Sequence, residues 1–168
     1  KKSYIRLGGH SKGGNLAIYS GIRCSREIRK RILSIHNFDG PGFRQDLLLS
    51  DEYLEMLPRI SNYLPQASII GMLLEHAGER KIVRSNYFGG ILQHDAFSWE
   101  VGPGGFPYLK ELDKSSLLME GIIKEWINKL DMQQREYFVD ILFGVLADIG
   151  IERITDFPKV SNAKLKAF

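Results

Sequence analysis

Ser11 stands in the stretch GGHSKGGNLA, between an alternating run, Tyr4 to Leu7, and a helical pattern that begins at Lys12. The segment Gly9-His10-Ser11-Lys12-Gly13 fits G-x-S-x-G, which requires a strand to reverse sharply into a helix with the serine at the tip. The residues two before and two after the serine are expected to approach so closely that a side chain would clash. Gly9 and Gly13 have none. Gly14 and Ala17 would then let the helix lie close against a sheet. The helix start aims free N–H groups and the positive end of its dipole at the serine oxygen, and the Lys12 backbone N–H is the expected donor to an oxyanion there. The competing reading is a glycine-rich turn that only starts a helix or holds a phosphate. A P-loop, however, needs GxxxxGK[ST], which the chain lacks.

The rest of the pattern agrees with a strand–helix alternation. Lys12 to Arg31 reads as a helix, with Leu16, Ile18, Tyr19, Ile22 and Ile28 apolar. Ile32 to Phe38 reads as a strand stopped by the turn signal DGPG. Asp46 to Leu57 reads as a short helix ending before Pro58, followed by strands near Ile60 to Leu64, Ile69 to Leu74 and Lys81 to Ser85. Ser115 to Leu130 and Met132 to Ile149 carry apolar residues at helical spacing and predict an antiparallel helix pair covering the sheet. The fold class expected is α/β, a mostly parallel sheet flanked by helices, with that pair at the C-terminal end.

Three segments in this order, GGHSKGGNLA, NFDGPGF and QHDAFSWEV, resemble the lipase-like α/β-hydrolases. They are most similar to a bacterial branch, the Mbeg-like hydrolases, which is distantly similar to the class 3 lipases. The likeness runs from Ser3 to about Phe157. It implies a serine-hydrolase fold and a triad, with no known substrate attached.

A serine nucleophile needs a base, and the order expected is Ser, Asp or Glu, then His. Of the four histidines, His10 lies inside the elbow with its side chain directed away from that of Ser11. His36 is on a strand, and His76 is in the charged loop EHAGER. His94 follows the last strand, late in the chain, where such a base belongs, and the family resemblance maps its histidine to the same position. For the acid, the segment similar to the D-I-V-P stretch of class 3 lipases reads Ser68-Ile69-Ile70-Gly71, with Ser68 where that family carries Asp. Asp39 is the better candidate, because it ends a parallel strand and faces the crevice where such sheets bind ligands. Glu75 is the alternative acid, and Asp95, next to His94, comes third. Against the catalytic role of Asp39 stands an Asx turn, which Asp-Gly favours.

The chain has 168 residues, a one-domain length, with 43% hydrophobic and 26% charged residues. A net charge of +3 is too small to argue for nucleic acid, and the run RCSREIRKR, Arg23 to Arg31, is expected to be a solvated helix end. There is no apolar run long enough to span a membrane. The single cysteine, Cys24, cannot form an intrachain disulfide and fits a reducing, cytoplasmic setting. No cofactor is expected, and no metal cluster, because the histidines and acids lack ligand spacing.

Only ten residues precede Ser11, enough for one strand. The nucleophile strand would then lie at the sheet's edge, as in the C-terminal part of a longer hydrolase domain that lacks its first strands, its second oxyanion donor and part of its acyl pocket. An open edge of this kind favours association. The activity expected of the parent domain is cleavage of small-molecule or lipid carboxylic esters through Ser11, His94 and Asp39. Weak or no activity is expected of these residues alone. The alternative is a catalytically silent domain of the same fold that binds a ligand or partner.

Overall fold

A computed structural model describes residues 3–87, 92–135, 137, 140 and 141. The chain divides into two compact units, Lys1–Glu120 and Gly121–Phe168. The first unit holds a five-stranded sheet in the order β1-β2-β3-β4-β5, made of Ile5–His10, Ile32–Phe38, Ile60–Pro65, Arg80–Val83 and Tyr108–Leu109. The first four strands are parallel and β5 is antiparallel to β4. This is the α/β arrangement expected, and β1 forms one edge of the sheet.

Helix α1, Lys12–Arg23, follows β1 and packs on one face of the sheet. Its buried stripe is Gly14, Ile18, Gly21 and Ile22. Ile18 and Ile22 meet Ile32, Ile35 and Ile60 of the strands, with Tyr53 and Met56 of α4 (Asp51–Met56) completing the cluster. Leu16 and Tyr19, apolar in the helical pattern, are exposed. Side chains alternate along a strand, so Phe38 faces opposite to Asn37. On that second face Phe38, Tyr63, Val83, Trp99 and Phe106 form a separate aromatic cluster.

Several expected boundaries differ, each for a local reason. The helix expected to run from Lys12 to Arg31 breaks after Arg23 and resumes as α2, Arg26–Arg29. Arg29 turns inward at the break. Its guanidinium donates to the Ile22 carbonyl at 2.9 Å and pairs with Glu55 at 3.3 Å. The basic run is therefore not wholly a solvated helix end. The helix expected from Asp46 to Leu57 is two short ones, α3 (Gln45–Leu48) and α4. Between them Ser50 restarts the helix by accepting the Tyr53 N–H. The strand expected at Ile69 to Leu74 is a 3₁₀ turn, Ile70–Met72, held by hydrogen bonds to a neighbouring carboxylate described below.

Helix α5, Lys114–Lys129, begins in the first unit. In the second unit Asp131 and Gln134 cap a new helical turn reciprocally, the Gln134 N–H donating to the Asp131 carboxylate at 2.8 Å and the Asp131 N–H to the Gln134 amide oxygen at 2.9 Å. The helix expected over 132–149 otherwise falls mainly outside the described residues. Among the described residues no helix is long and apolar enough to cross a membrane.

Candidate functional site

Strands β1 and β2 run side by side with His10 opposite Phe38, and the residue after each adopts a left-handed backbone. Ser11 has φ 57° and ψ −133°, and Asp39 has φ 50°. Non-glycine residues in such conformations cost on the order of 1–3 kcal/mol and persist where the surroundings hold them. At Ser11 that hold is visible: its N–H donates to the Phe38 carbonyl at 2.9 Å, and its own carbonyl accepts from Gly14 at 2.9 Å and Asn15 at 3.3 Å. The helix thus starts directly from the serine.

The glycines around the bend serve different purposes. A Cβ on Gly9 would lie 2.3 Å from the Gly13 carbonyl carbon and oxygen, so strand and helix meet there backbone to backbone. A Cβ on Gly14 would lie 2.0 Å from the Asn37 side-chain oxygen. Gly13, expected to need its missing side chain, differs: a Cβ there would touch nothing within 4 Å. The close approach is made by the Gly13 backbone, not by its Cα hydrogens. The amides of Lys12 and Gly13 belong to the first turn of α1 and have no acceptor within the helix.

The second loop is fitted to the first. Buried Asn37 accepts the Gly40 N–H at 3.0 Å and donates to the Asn62 side chain at 3.1 Å. Asn15 donates to the carbonyls of Pro41 and Gly42. Asp39 donates its own N–H to the Tyr63 carbonyl, which fixes its backbone against β3. Its carboxylate is fully buried and is held by three donors. Oδ1 accepts from the Ser68 hydroxyl at 2.5 Å and the Gly71 N–H at 3.2 Å, and Oδ2 accepts from His94 Nδ1 at 2.6 Å.

His94 ends the 3₁₀ turn Leu92–His94 and is 1% exposed. The neighbouring residues anchor it. Gln93 accepts the Ala67 N–H at 2.8 Å and donates to the Tyr87 carbonyl at 2.7 Å, while the Trp99 indole donates to the Gln93 carbonyl at 2.8 Å. Asp95 caps the next turn by accepting from Phe97, which gives its carboxylate a structural task. An ionised carboxylate can only accept, so the Asp39 contact puts hydrogen on Nδ1 of His94 and leaves Nε2 of the neutral ring as a base.

His10 is the neighbour that the sequence did not reveal. Its Nε2 donates to the His94 carbonyl at 2.6 Å, and the two rings lie 4.5 Å apart at 35°. Burial, and then the nearby His94, hold its pKa below the ordinary 6.5. His36 is occupied by the Tyr63 and Ser34 hydroxyls.

Of the residues expected to act together, the structure brings Asp39 and His94 into contact across 55 positions of sequence. Glu75, the alternative acid, is held in an isolated bridge with Phe43, and the Nδ1 it would need is taken by Asp39. Ser11 sits at the end of the adjacent strand, and among the described residues no hydrogen bond joins its hydroxyl to the His94 ring. Ser68 and Gly71, holding the acid, were not anticipated as partners, although the Ser-x-x-Gly segment after β3 was the available signal. Among the described residues no group of three or more His, Cys, Asp or Glu side chains is placed to hold a metal ion.

A family model described as Mbeg1-like matches residues 1–144 of the chain. No curated protein and no solved structure matches it.

Proposed function

The chain belongs to the Mbeg1-like family, and from that premise and the site's geometry we propose that it is a serine hydrolase acting on carboxylic esters. The observation that carries this reading is the contact of Asp39 Oδ2 with His94 Nδ1 at 2.6 Å, buried at the end of the strand beside Ser11. The strained serine at a strand-to-helix bend supports it.

In this mechanism Nε2 of His94 takes the proton of the Ser11 hydroxyl as Oγ attacks the ester carbonyl carbon. Asp39 holds the tautomer and stabilises the imidazolium that forms. The carbonyl oxygen becomes an oxyanion against the Lys12 N–H at the start of α1, where one such donor contributes roughly 3–4 kcal/mol to the transition state. Collapse of the tetrahedral intermediate breaks the ester bond, and His94 returns the proton to the leaving alcohol. A water then repeats the sequence on the acyl-enzyme, releasing acid and free Ser11. The serine–histidine hydrogen bond of such sites commonly tightens only in the substrate complex.

The open Ser11–His94 contact is the observation favouring a second reading, a silent site that binds an ester-like ligand without cleaving it. A fluorophosphonate probe and a p-nitrophenyl ester separate the two. Covalent labelling of the full-length protein, abolished in Ser11→Ala and in His94→Gln, is the expected result, with Asp39→Asn slowed roughly 10⁴-fold. Absence of labelling, or labelling undiminished in Ser11→Ala, overturns the proposal.

A further inference from the structure

Three consecutive parallel strands lead into polar residues, β1 into Ser11, β2 into Asp39 and β3 into the turn that carries Ser68, and the last two are in contact. Resting on the reading that Asp39 and His94 act as a pair, we propose that Ser68, with the Gly71 amide, is a positioning residue that holds the Asp39 carboxylate for His94.

The geometry leaves the Ser68 hydroxyl little choice. It is wholly buried and lies 2.5 Å from Asp39 Oδ1. The carboxylate cannot donate, so the single hydroxyl hydrogen points to Oδ1. The Ser68 hydroxyl oxygen in turn accepts the Gly71 N–H at 3.0 Å, which ties the hydroxyl into its turn, and the Ser68 N–H donates to the Pro65 carbonyl at the end of β3. Gly71 has to be glycine for the same cradle, because a Cβ there would lie 2.3 Å from Oδ1 of Asp39 and 2.9 Å from the Ser68 hydroxyl. One carboxylate oxygen is therefore fully engaged by β3's turn, and the other is presented to the imidazole along a fixed direction. Without the hydroxyl, Asp39 keeps only the long 3.2 Å contact with Gly71 on that side and can rotate about its Cβ–Cγ bond.

The test compares Ser68→Ala with Ser68→Thr, which restores a hydroxyl, and with Gly71→Ala, which pushes the carboxylate directly. Two readouts are taken on the full chain. Proton NMR follows the downfield resonance of the His94 Nδ1 hydrogen, assigned by its loss in His94→Gln. Steady-state kinetics on a p-nitrophenyl ester gives kcat and KM separately. In Ser68→Ala the resonance should shift and exchange faster with water, and kcat should fall roughly 10- to 100-fold with KM little changed, as befits loss of one hydrogen bond to a charged group. Ser68→Thr should recover both, and Gly71→Ala should reproduce the loss. A resonance and an exchange rate unmoved by Ser68→Ala overturn the proposal, even if the wild-type chain hydrolyses esters. So does absence of any such resonance in the wild type. If the wild type hydrolyses nothing but the resonance responds to Ser68, the positioning role stands and the esterase reading falls.

Discussion

An alanine at position 9 would place its Cβ 2.3 Å from the carbonyl carbon and oxygen of Gly13 and 2.7 Å from the nitrogen of Gly14. All three are backbone atoms, so no side chain can swing aside. Restoring ordinary carbon contacts requires the bend to open by about 1 Å. That opening stretches the bonds from the Gly14 and Asn15 amides to the Ser11 carbonyl. Overpacking of this kind costs about 1–3 kcal/mol, and a weakened hydrogen bond adds about 1 kcal/mol. Loss of a strand glycine returns about 0.5–1 kcal/mol. The net destabilisation is then about 1–3.5 kcal/mol, or a fall in Tm of roughly 3–10 °C for a chain of this size. Gly13→Ala is the matched control four residues away. Its Cβ meets nothing, the position is exposed and helical, and the change should stabilise by about 0.5–1 kcal/mol. Urea unfolding followed by circular dichroism measures both variants against wild type. A Gly13→Ala variant destabilised as much as Gly9→Ala would refute the account of the bend as a one-sided backbone contact.

Two further outcomes concern the surroundings of the site. His10 is held below its ordinary pKa of 6.5 by burial first and by His94 second, so the unfolded chain binds more protons than the folded one just below that pH. Stability should therefore be full above pH 6.5 and decline as pH falls through the shifted value. His10→Gln, which keeps a donor for the His94 carbonyl, should make that decline shallower, and urea midpoints measured across the acid range would show an unchanged slope if the reasoning is wrong. His36 shifts in the same direction but is more exposed and contributes less. Asn37→Ala strips the acceptor of the Gly40 N–H and the donor to Asn62, both buried, and should cost about 2–4 kcal/mol. A loss under about 0.5 kcal/mol in the urea midpoint, the range of ordinary surface substitutions, would show that these bonds are replaced.

What could be read ahead of the structure followed the range of the forces involved. Strand β2 was legible over its full extent, because an apolar run ending in Asp-Gly-Pro-Gly is a local signal on both counts. The bend at Ser11 was legible because its glycines are neighbours in sequence, although the reason for Gly13 was not, since it depends on which atom of the pair carries the missing Cβ. Asp39 could be proposed from its place at a strand end, whereas its contact with His94 spans 55 residues and belongs to tertiary structure. The run Ile69 to Leu74 looked like a strand for the converse reason. Its propensity is overridden by Ser68 and Gly71, whose polar groups are spent on a carboxylate from another loop. Arg29 likewise reads as a surface cation until Ile22 and Glu55 are seen around it.

Neighbouring strands in a sheet lie about 4.8 Å apart and cannot slide without breaking their ladder. Ser11 and Asp39 each come one residue after a paired position on β1 and β2, so the spacing between them is a property of the sheet itself. His94 comes instead on a short turn fastened through Gln93 and Trp99. Two of the three groups share a rigid mount, and the third rides on a separate piece. Retuning the reach of the imidazole is then a task for residues 92–98, which makes that turn the natural place to graft or exchange while leaving the paired strands beneath it intact.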